Sequence, residues 1–311
     1  MKWFPVLKLT PHSYIVLFQK VLVPLDGSDL AQRALPYAET IALRKKSEVV
    51  LLSVINMDFE HREERLHKSH LDLTAGRLQA LGIHVSTEIV HGHVAEEIIE
   101  YAANHNINII IISTHGYSGV KRWMLGSVAQ KVLYSSRTPV LLIKSQAPSQ
   151  QKVYLNKILV PLDGSPFSEA IFPYLERLTI GTDTVVTLLE VVESPIVPSY
   201  GTRPINPTWE KYRDSTWAEL QQQAEQNLQN VQNKLKDKGI SADTKVIKAE
   251  IGEVAAAIMQ IAQNEKMDMI AIATHGRTGV SRWMYGNVAS KLVDESIQPL
   301  LLVRPEIPGS S

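Results

Sequence analysis

Val23-Pro24-Leu25-Asp26-Gly27-Ser28 is written a second time, 137 residues downstream, as Val160-Pro161-Leu162-Asp163-Gly164-Ser165. A second phrase is doubled as well. Thr114-His115-Gly116 is followed after nine residues by Gly126-Ser127, and Thr274-His275-Gly276 after nine residues by Gly286-Asn287. Both phrases begin where a hydrophobic run stops and a helix-like segment starts, so each belongs at the carboxyl end of an expected strand. A chain that repeats both phrases in the same order is expected to fold the same way twice.

Outward from these phrases, each copy alternates short apolar runs with longer amphipathic stretches. Strands are expected at 20–24, 49–55, 84–90, 107–112 and 140–143, and again at 157–161, 185–192, 243–248, 267–272 and 300–303. Near-continuous Val, Ile and Leu runs separated by helices indicate parallel strands covered on both faces. The expected fold is therefore α/β, with two tandem doubly wound (Rossmann-like) domains and helices on both faces of each sheet. The first helix of each copy, from about Asp29 and Ser168, contains Pro36-Tyr37 or Pro173-Tyr174. An internal proline lacks an amide donor, so a kink is expected at the same turn of both helices.

Length agrees with two domains, since 311 residues suit two cores of roughly 150 residues. The expected division is an N-terminal extension at 1–18, a first domain at 19–144, a polar linker at 145–152, a second domain at 153–305 and a tail at 306–311. The offset between copies grows from 137 to 160 before the third strand, which places 23 additional residues near 194–215. The segment 194–207 holds four prolines and is expected to be irregular. Leu220, Ala224, Leu228, Val231 and Leu235 then mark a helix by their spacing.

Composition excludes several classes. Thirty-two basic and thirty-two acidic residues balance, with +3 on residues 1–150 and −3 on 151–311, which is not the basic footprint of a nucleic-acid binder. Without cysteine there is no disulfide, thiolate nucleophile or cysteine-ligated metal, and a reducing, cytoplasmic setting is the simplest expectation. Pro5, Lys8 and Pro11 interrupt the N-terminus, which offers neither a signal-peptide core nor a membrane span.

In an open parallel sheet, ligands bind outside the carboxyl ends of the strands, where the strand order reverses. If the first and fourth strands are neighbours there, Pro24 and Asp26 face His115 and Gly116, and Pro161 and Asp163 face His275 and Gly276. Gly116 and Gly119 suit close approach of backbone to a ligand. Ser127 reads as an N-cap whose neighbouring amides meet a phosphate, and Asn287 reads as its counterpart. A carboxylate repels phosphate but accepts from ribose hydroxyls, which assigns Asp26 to the sugar end. Well-capped turns with no ligand remain the competing explanation at this point.

V-P-L-D-G-S, then T-H-G-x9-G-S, then a closing T-P-V-L-L-I-K resemble the universal stress protein (UspA) family in its tandem two-domain form, over almost all of residues 20–304. The resemblance implies sheets ordered 3-2-1-4-5, and pairing of the two domains within the chain through their fifth strands, with a homodimer left open. For the nucleotide-binding branch it also implies a site for ATP or AMP, with Mg2+ as a possible companion, described as G-x2-G-x9-G-[S/T]. In the first copy Gly116, Gly126 and Ser127 match, while Ser113 replaces the leading glycine. In the second, Gly276 and Gly286 match, while Ala273 and Asn287 depart. The adenine pocket would fall on Pro24 and Val54, or on Pro161 and Val191, with Asp26 or Asp163 at the ribose. Ser113 retains a hydroxyl donor and Ala273 does not, so the first site is expected to be the tighter one.

Other candidates weigh less. Arg122 and Arg282 are placed to reach a phosphate, though solvated charges explain them as well. Trp123 and Trp283 read as packing residues. Nine of the ten histidines precede residue 116, among them His61, His67, His70, His91 and His93, and a polar helix face explains these more simply than a metal site. No P-loop lysine motif is present, and His115 and His275 have no visible carboxylate partner or nucleophile. The leading expectation is a nucleotide-binding regulatory or sensor protein of the stress response, with an unidentified regulatory protein partner. The alternative is a dimerisation or interaction scaffold of the same architecture without a ligand, and an ATP-consuming enzyme has the least support.

Overall fold

The computed structural model describes residues 18–56, 61–114, 125–144, 152–194, 207–274 and 286–305. Its first half runs β1 (Lys20–Pro24), α1 (Leu35–Lys45), β2 (Glu48–Ile55), α2 (His61–Ala80), β3 (Val85–His91), α3 (Val94–Asn104), β4 (Ile109–Ser113), α4 (Ser127–Ser135) and β5 (Val140–Ile143). The second runs β6 (Lys157–Leu162), α5 (Phe172–Thr179), β7 (Val185–Glu193), α6 (Pro207–Lys236), β8 (Ala242–Ala249), α7 (Val254–Asn264), β9 (Met269–Ala273), α8 (Asn287–Glu295) and β10 (Leu300–Val303). All ten expected strands form. The third and fourth of each half end one residue later than their apolar runs, because pairing with a neighbour extends beyond the apolar side chains.

The strands make one sheet in the order β3-β2-β1-β4-β5-β10-β9-β6-β7-β8. Within each half the order is 3-2-1-4-5 and every pairing is parallel. The halves join edge to edge through an antiparallel ladder, Val140 opposite Leu302, Leu141 opposite Leu301 and Leu142 opposite Leu300. Both strands of this join are buried along their whole length. An unpaired apolar edge would be a template for aggregation, and each half removes that of the other. A fully buried leucine contributes roughly 1.5–3 kcal/mol relative to an exposed one, so the seam stabilises the pairing as well as satisfying its backbone.

Right-handed crossovers divide the helices between two layers. Val21, Val23, Leu51 and Ile109 share a core with α1, α2, α5 and α6, whereas Leu22, Leu52 and Ile110 share one with α3, α4, α7 and α8. Each core runs across both halves. Further contacts fasten α1 to the start of the second half. Thr40 Oγ1 donates to the Val153 carbonyl at 2.9 Å, and Arg44 donates to the Leu155 carbonyl at 3.1 Å and to Asn156 Oδ1 at 2.8 Å. Phe18, counted with the extension on sequence grounds, is 3% exposed in the same core.

The expected proline kinks do not occur. Ala31–Ala34 and Ser168–Ile171 are 3-10 turns, and α1 and α5 begin after them, so Pro36 and Pro173 lie in the first helical turn. An amide there has no acceptor within the helix, and proline costs nothing at that place. The added residues do not all precede the third strand. Val85 and Ala242, paired with Val49 and Val186, are 157 apart, so twenty precede it and three follow it. Ten of the twenty lengthen the helix, α6 spanning thirty residues against twenty in α2. The irregular segment expected at 194–207 lies almost wholly outside the described residues.

Candidate functional site

β1 pairs with β2 along its whole length, from Lys20 opposite Glu48 to Pro24 opposite Leu52. With β4 it pairs only at Val21 opposite Ile109 and Leu22 opposite Ile110. β6 repeats this, pairing with β7 as far as Leu162 but with β9 only at Ile158 and Leu159. The two central strands of each half therefore diverge toward their carboxyl ends, where the strand order reverses, and open a crevice there. Pro24 sits at this divergence. Leu25 N–H donates to the Leu52 carbonyl at 2.8 Å, and amide directions alternate along a strand. The side on which Pro24 lacks a donor thus faces β4, where no ladder bond is due. Val54 and Val191 are half-buried against the α4 and α8 layer.

The floor of the crevice is a tight turn. Gly27 and Gly164 have φ of +82° and +74°, a region that residues with a Cβ seldom occupy. Ser28 N–H and Oγ–H donate to Asp26 Oδ1 at 3.0 and 2.6 Å, and Ser165 N–H donates to Asp163 Oδ1 at 2.9 Å. Each aspartate thus holds its own turn, a role the sequence reading did not assign. The signal was present, because Asp-Gly-Ser is a turn signature in which the carboxylate bonds the amide two residues on. A carboxylate has about four acceptor positions, so this bonding fixes Asp26 in place while leaving acceptor capacity for hydroxyl groups.

The opposite wall begins at Ser113 and Ala273, the last residues of β4 and β9, 7% and 5% exposed. Their backbone belongs to the ladder, Ser113 opposite Ile143 and Ala273 opposite Val303. Thr114 and Thr274 follow, and their carbonyls accept from Gly126 N–H at 2.8 Å and Gly286 N–H at 2.9 Å. These two threonines were not assigned as site residues from sequence, yet they set where the helices α4 and α8 begin.

Ser127 and Asn287 are not the N-caps. Gly126 (φ −64°, ψ 148°) and Gly286 (φ −58°, ψ 156°) take that position, and Ser127 and Asn287 are the first helical residues, both exposed. The first intrahelical bonds run from Gln130 N–H to the Gly126 carbonyl and from Ser290 N–H to the Gly286 carbonyl. Amides 127–129 and 287–289 precede those bonds and point out of the helix start, where the dipole is positive. A glycine cap places no side chain of its own over them. Neither glycine needs a positive φ, so at this place it is the missing side chain that matters.

His115, Gly116, Gly119, Arg122, Trp123, His275, Gly276, Arg282 and Trp283 lie outside the described residues. Of the other histidines, His67 meets Ser53 Oγ through Nδ1 at 2.7 Å, and His91 stands 4.0 Å from Glu64. Among the described residues no group of three or more His, Asp or Glu is arranged to hold a metal. In the second half Glu190 takes the place of Ser53 and Ala224 that of His67, with Asn227 one turn further along α6. Beside Glu190 and Asn227 lies a cavity of about 130 Å³, also lined by Ser168, Asn230 and Lys234, on the layer away from α8.

A sequence profile of the universal stress protein family matches residues 17–144 and again 155–304. The chain belongs to the universal stress protein family. Its family domain is present twice, in tandem. A universal stress protein of Methanocaldococcus jannaschii is 30% identical over 156 residues, which cover 42% of this chain and 96% of that protein. One from Mycolicibacterium smegmatis is 25% identical over 226 residues, 72% of this chain and 70% of the relative. The crystal structure of a universal stress protein from Archaeoglobus fulgidus superposes with a TM-score of 0.67 at 19% identity, covering 93% of this chain and 99% of that one. That likeness establishes the two-domain fold. Among the described residues no helix is long and apolar enough to cross a membrane.

Proposed function

We propose that this universal stress protein binds an adenine nucleotide, ATP or AMP, at the carboxyl edge of its sheet, and that it acts as a cytoplasmic regulatory sensor in the stress response rather than as a dedicated enzyme. The observation that carries the reading is the divergence of β1 from β4 beside a glycine-capped helix start. A crevice between two strand ends accepts a flat apolar base against Pro24 and Val54. Asp26 then lies at the ribose, and amides 127–129 of α4 lie toward the phosphates. Mg2+ would enter with ATP. Equivalent places in the second half are Pro161, Val191, Asp163 and the start of α8. His115 and Gly116, with His275 and Gly276, would complete the phosphate loops.

The first site is read as the tighter. Ser113 and Ser127 carry hydroxyl donors where Ala273 has none and Asn287 carries an amide. The test is to denature the purified protein and assay the released nucleotide, then to follow thermal stability with ATP and Mg2+. A ligand that binds only the folded state must raise the melting temperature. Absence of both co-purified nucleotide and stabilisation at millimolar ATP overturns the reading.

That outcome would favour the scaffold reading, in which the modules serve pairing. The continuous ten-stranded sheet supports it, because the β5–β10 seam joins the two modules through an antiparallel ladder of buried residues. A second copy of the chain or a regulatory protein would then be the partner.

A further inference from the structure

Each of the two helices whose N-terminus borders a proposed site has its C-terminus held by a basic side chain from the other half of the chain. Lys144 directly follows β5, and its Nζ donates to the Val293 carbonyl in the last turn of α8. Arg304 directly follows β10, and its Nη1 donates to the Tyr134 carbonyl in the last turn of α4 at 3.2 Å. Lys144 and Arg304 are equivalent in the repeat, 160 residues apart. They reach carbonyls one position apart, the longer arginine taking the later one.

Three features favour this arrangement. The final carbonyls of a helix lack intrahelical donors, so a cation there satisfies an orphan acceptor and complements the negative end of the dipole. Lys144 is 6% exposed, and the neighbouring Asp294 offsets part of the burial that disfavours its cation. The antiparallel seam sets the approach: β5 and β10 run past each other, so the residue leaving each strand emerges beside the other half's helix end.

We infer that Arg304 and Lys144 are positioning residues acting across the two halves, Arg304 setting α4 and hence the first nucleotide site, and Lys144 setting α8 and hence the second. This rests on the nucleotide reading above. A nine-residue helix is about 13 Å long and behaves as a stiff rod. At its start α4 is tied to the sheet by the bond from Gly126 to Thr114, and at its end by Arg304. Releasing the end lets the rod shift, and the amides that face the phosphates shift with it. The two halves then form one binding unit in which each completes the other's site.

The test uses the full chain carrying Gly286→Asp, so that ATP binding reports the first site. Arg304→Met is expected to weaken that binding about fivefold or more, the lower end of usual coupling between sites. Arg304→Lys is expected to stay within about twofold, since it keeps a cation at the carbonyl. Lys144→Met breaks the equivalent contact on the other helix and is expected to leave first-site binding within about twofold. Unchanged binding in Arg304→Met overturns the inference, and so does an equal loss in Arg304→Met and Lys144→Met, which signals general loosening of the seam. If the unmodified protein binds no ATP, the nucleotide reading fails on its own. Amide exchange then decides whether Arg304 holds α4: faster exchange across residues 127–135 in Arg304→Met than in Arg304→Lys supports the hold, and equal exchange overturns it.

Discussion

Leu22 pairs with Ile110, and beyond that pair β1 and β4 part while β1 continues beside β2 as far as Pro24. The divergence begins at the middle residue of a five-residue strand, and its repetition in β6 and β9 makes it a property of the fold rather than of one loop.

Gly126→Asp separates folding from binding. An aspartate is a favoured N-cap, and the φ and ψ of Gly126 suit a residue with a Cβ. The melting temperature is expected to hold or rise, while a carboxylate beside the phosphates lowers ATP affinity tenfold or more by titration calorimetry. Gly286→Asp is expected to leave most of the ATP affinity intact, and loss confined to that variant would reverse the ranking of the two sites. Its new Cβ would lie 3.7 Å from the Thr274 carbonyl, an ordinary contact.

Gly27→Ala tests the turn. The space around a new Cβ is open, so the cost comes from holding an alanine at a φ of +82°, about 1–2 kcal/mol in chemical denaturation.

Asp26 is expected to show two separable roles. Asp26→Ala removes the acceptor for both Ser28 bonds and should cost about 1–2 kcal/mol of stability. Asp26→Asn keeps a side-chain carbonyl for the turn and is expected to unfold within about 0.5 kcal/mol of the parent while binding nucleotide more weakly. Equal binding by Asp26→Asn and the parent would remove Asp26 from the ribose.

Burial pushes the Lys144 ammonium down to about 8 from its usual 10.5, with Asp294 opposing the shift. Between those values the unfolded chain binds more protons than the folded one, so the Lys144 contribution to stability rises with pH across that window. The stability difference between the parent and Lys144→Met, from urea unfolding, is expected to move in the parent's favour from pH 8 toward 10.5, by an amount on the order of 2–3 kcal/mol. A flat difference would mean that burial does not push the Lys144 ammonium down.

Strand number and parallel direction were legible because buried parallel strands leave unbroken runs such as Ile109 to Ile112, and because the chain states its plan twice. The order 3-2-1-4-5 and the pairing of the halves through their fifth strands were expected only from the family resemblance. The errors were local. A one-residue shift of the N-cap from Ser127 to Gly126 depends on which carbonyl the first helical amide reaches, and both residue types are accepted as caps. The kink expected at Pro36 failed because a 3-10 turn and an α-helix share an apolar pattern, and the boundary between them falls just before the proline.

By itself, the sequence determined the two-fold repeat, the α/β layers and the residues gathered at the carboxyl ends of the strands, since all of these follow from periodicities along the chain. Only the tertiary structure decided that Asp26 holds its own turn, that β1 parts from β4 after Leu22, and that Arg304 grips the helix of the other half. Those are relations between atoms distant in sequence or dependent on a single dihedral angle, and no pattern of residue types encodes them until the sheet has closed.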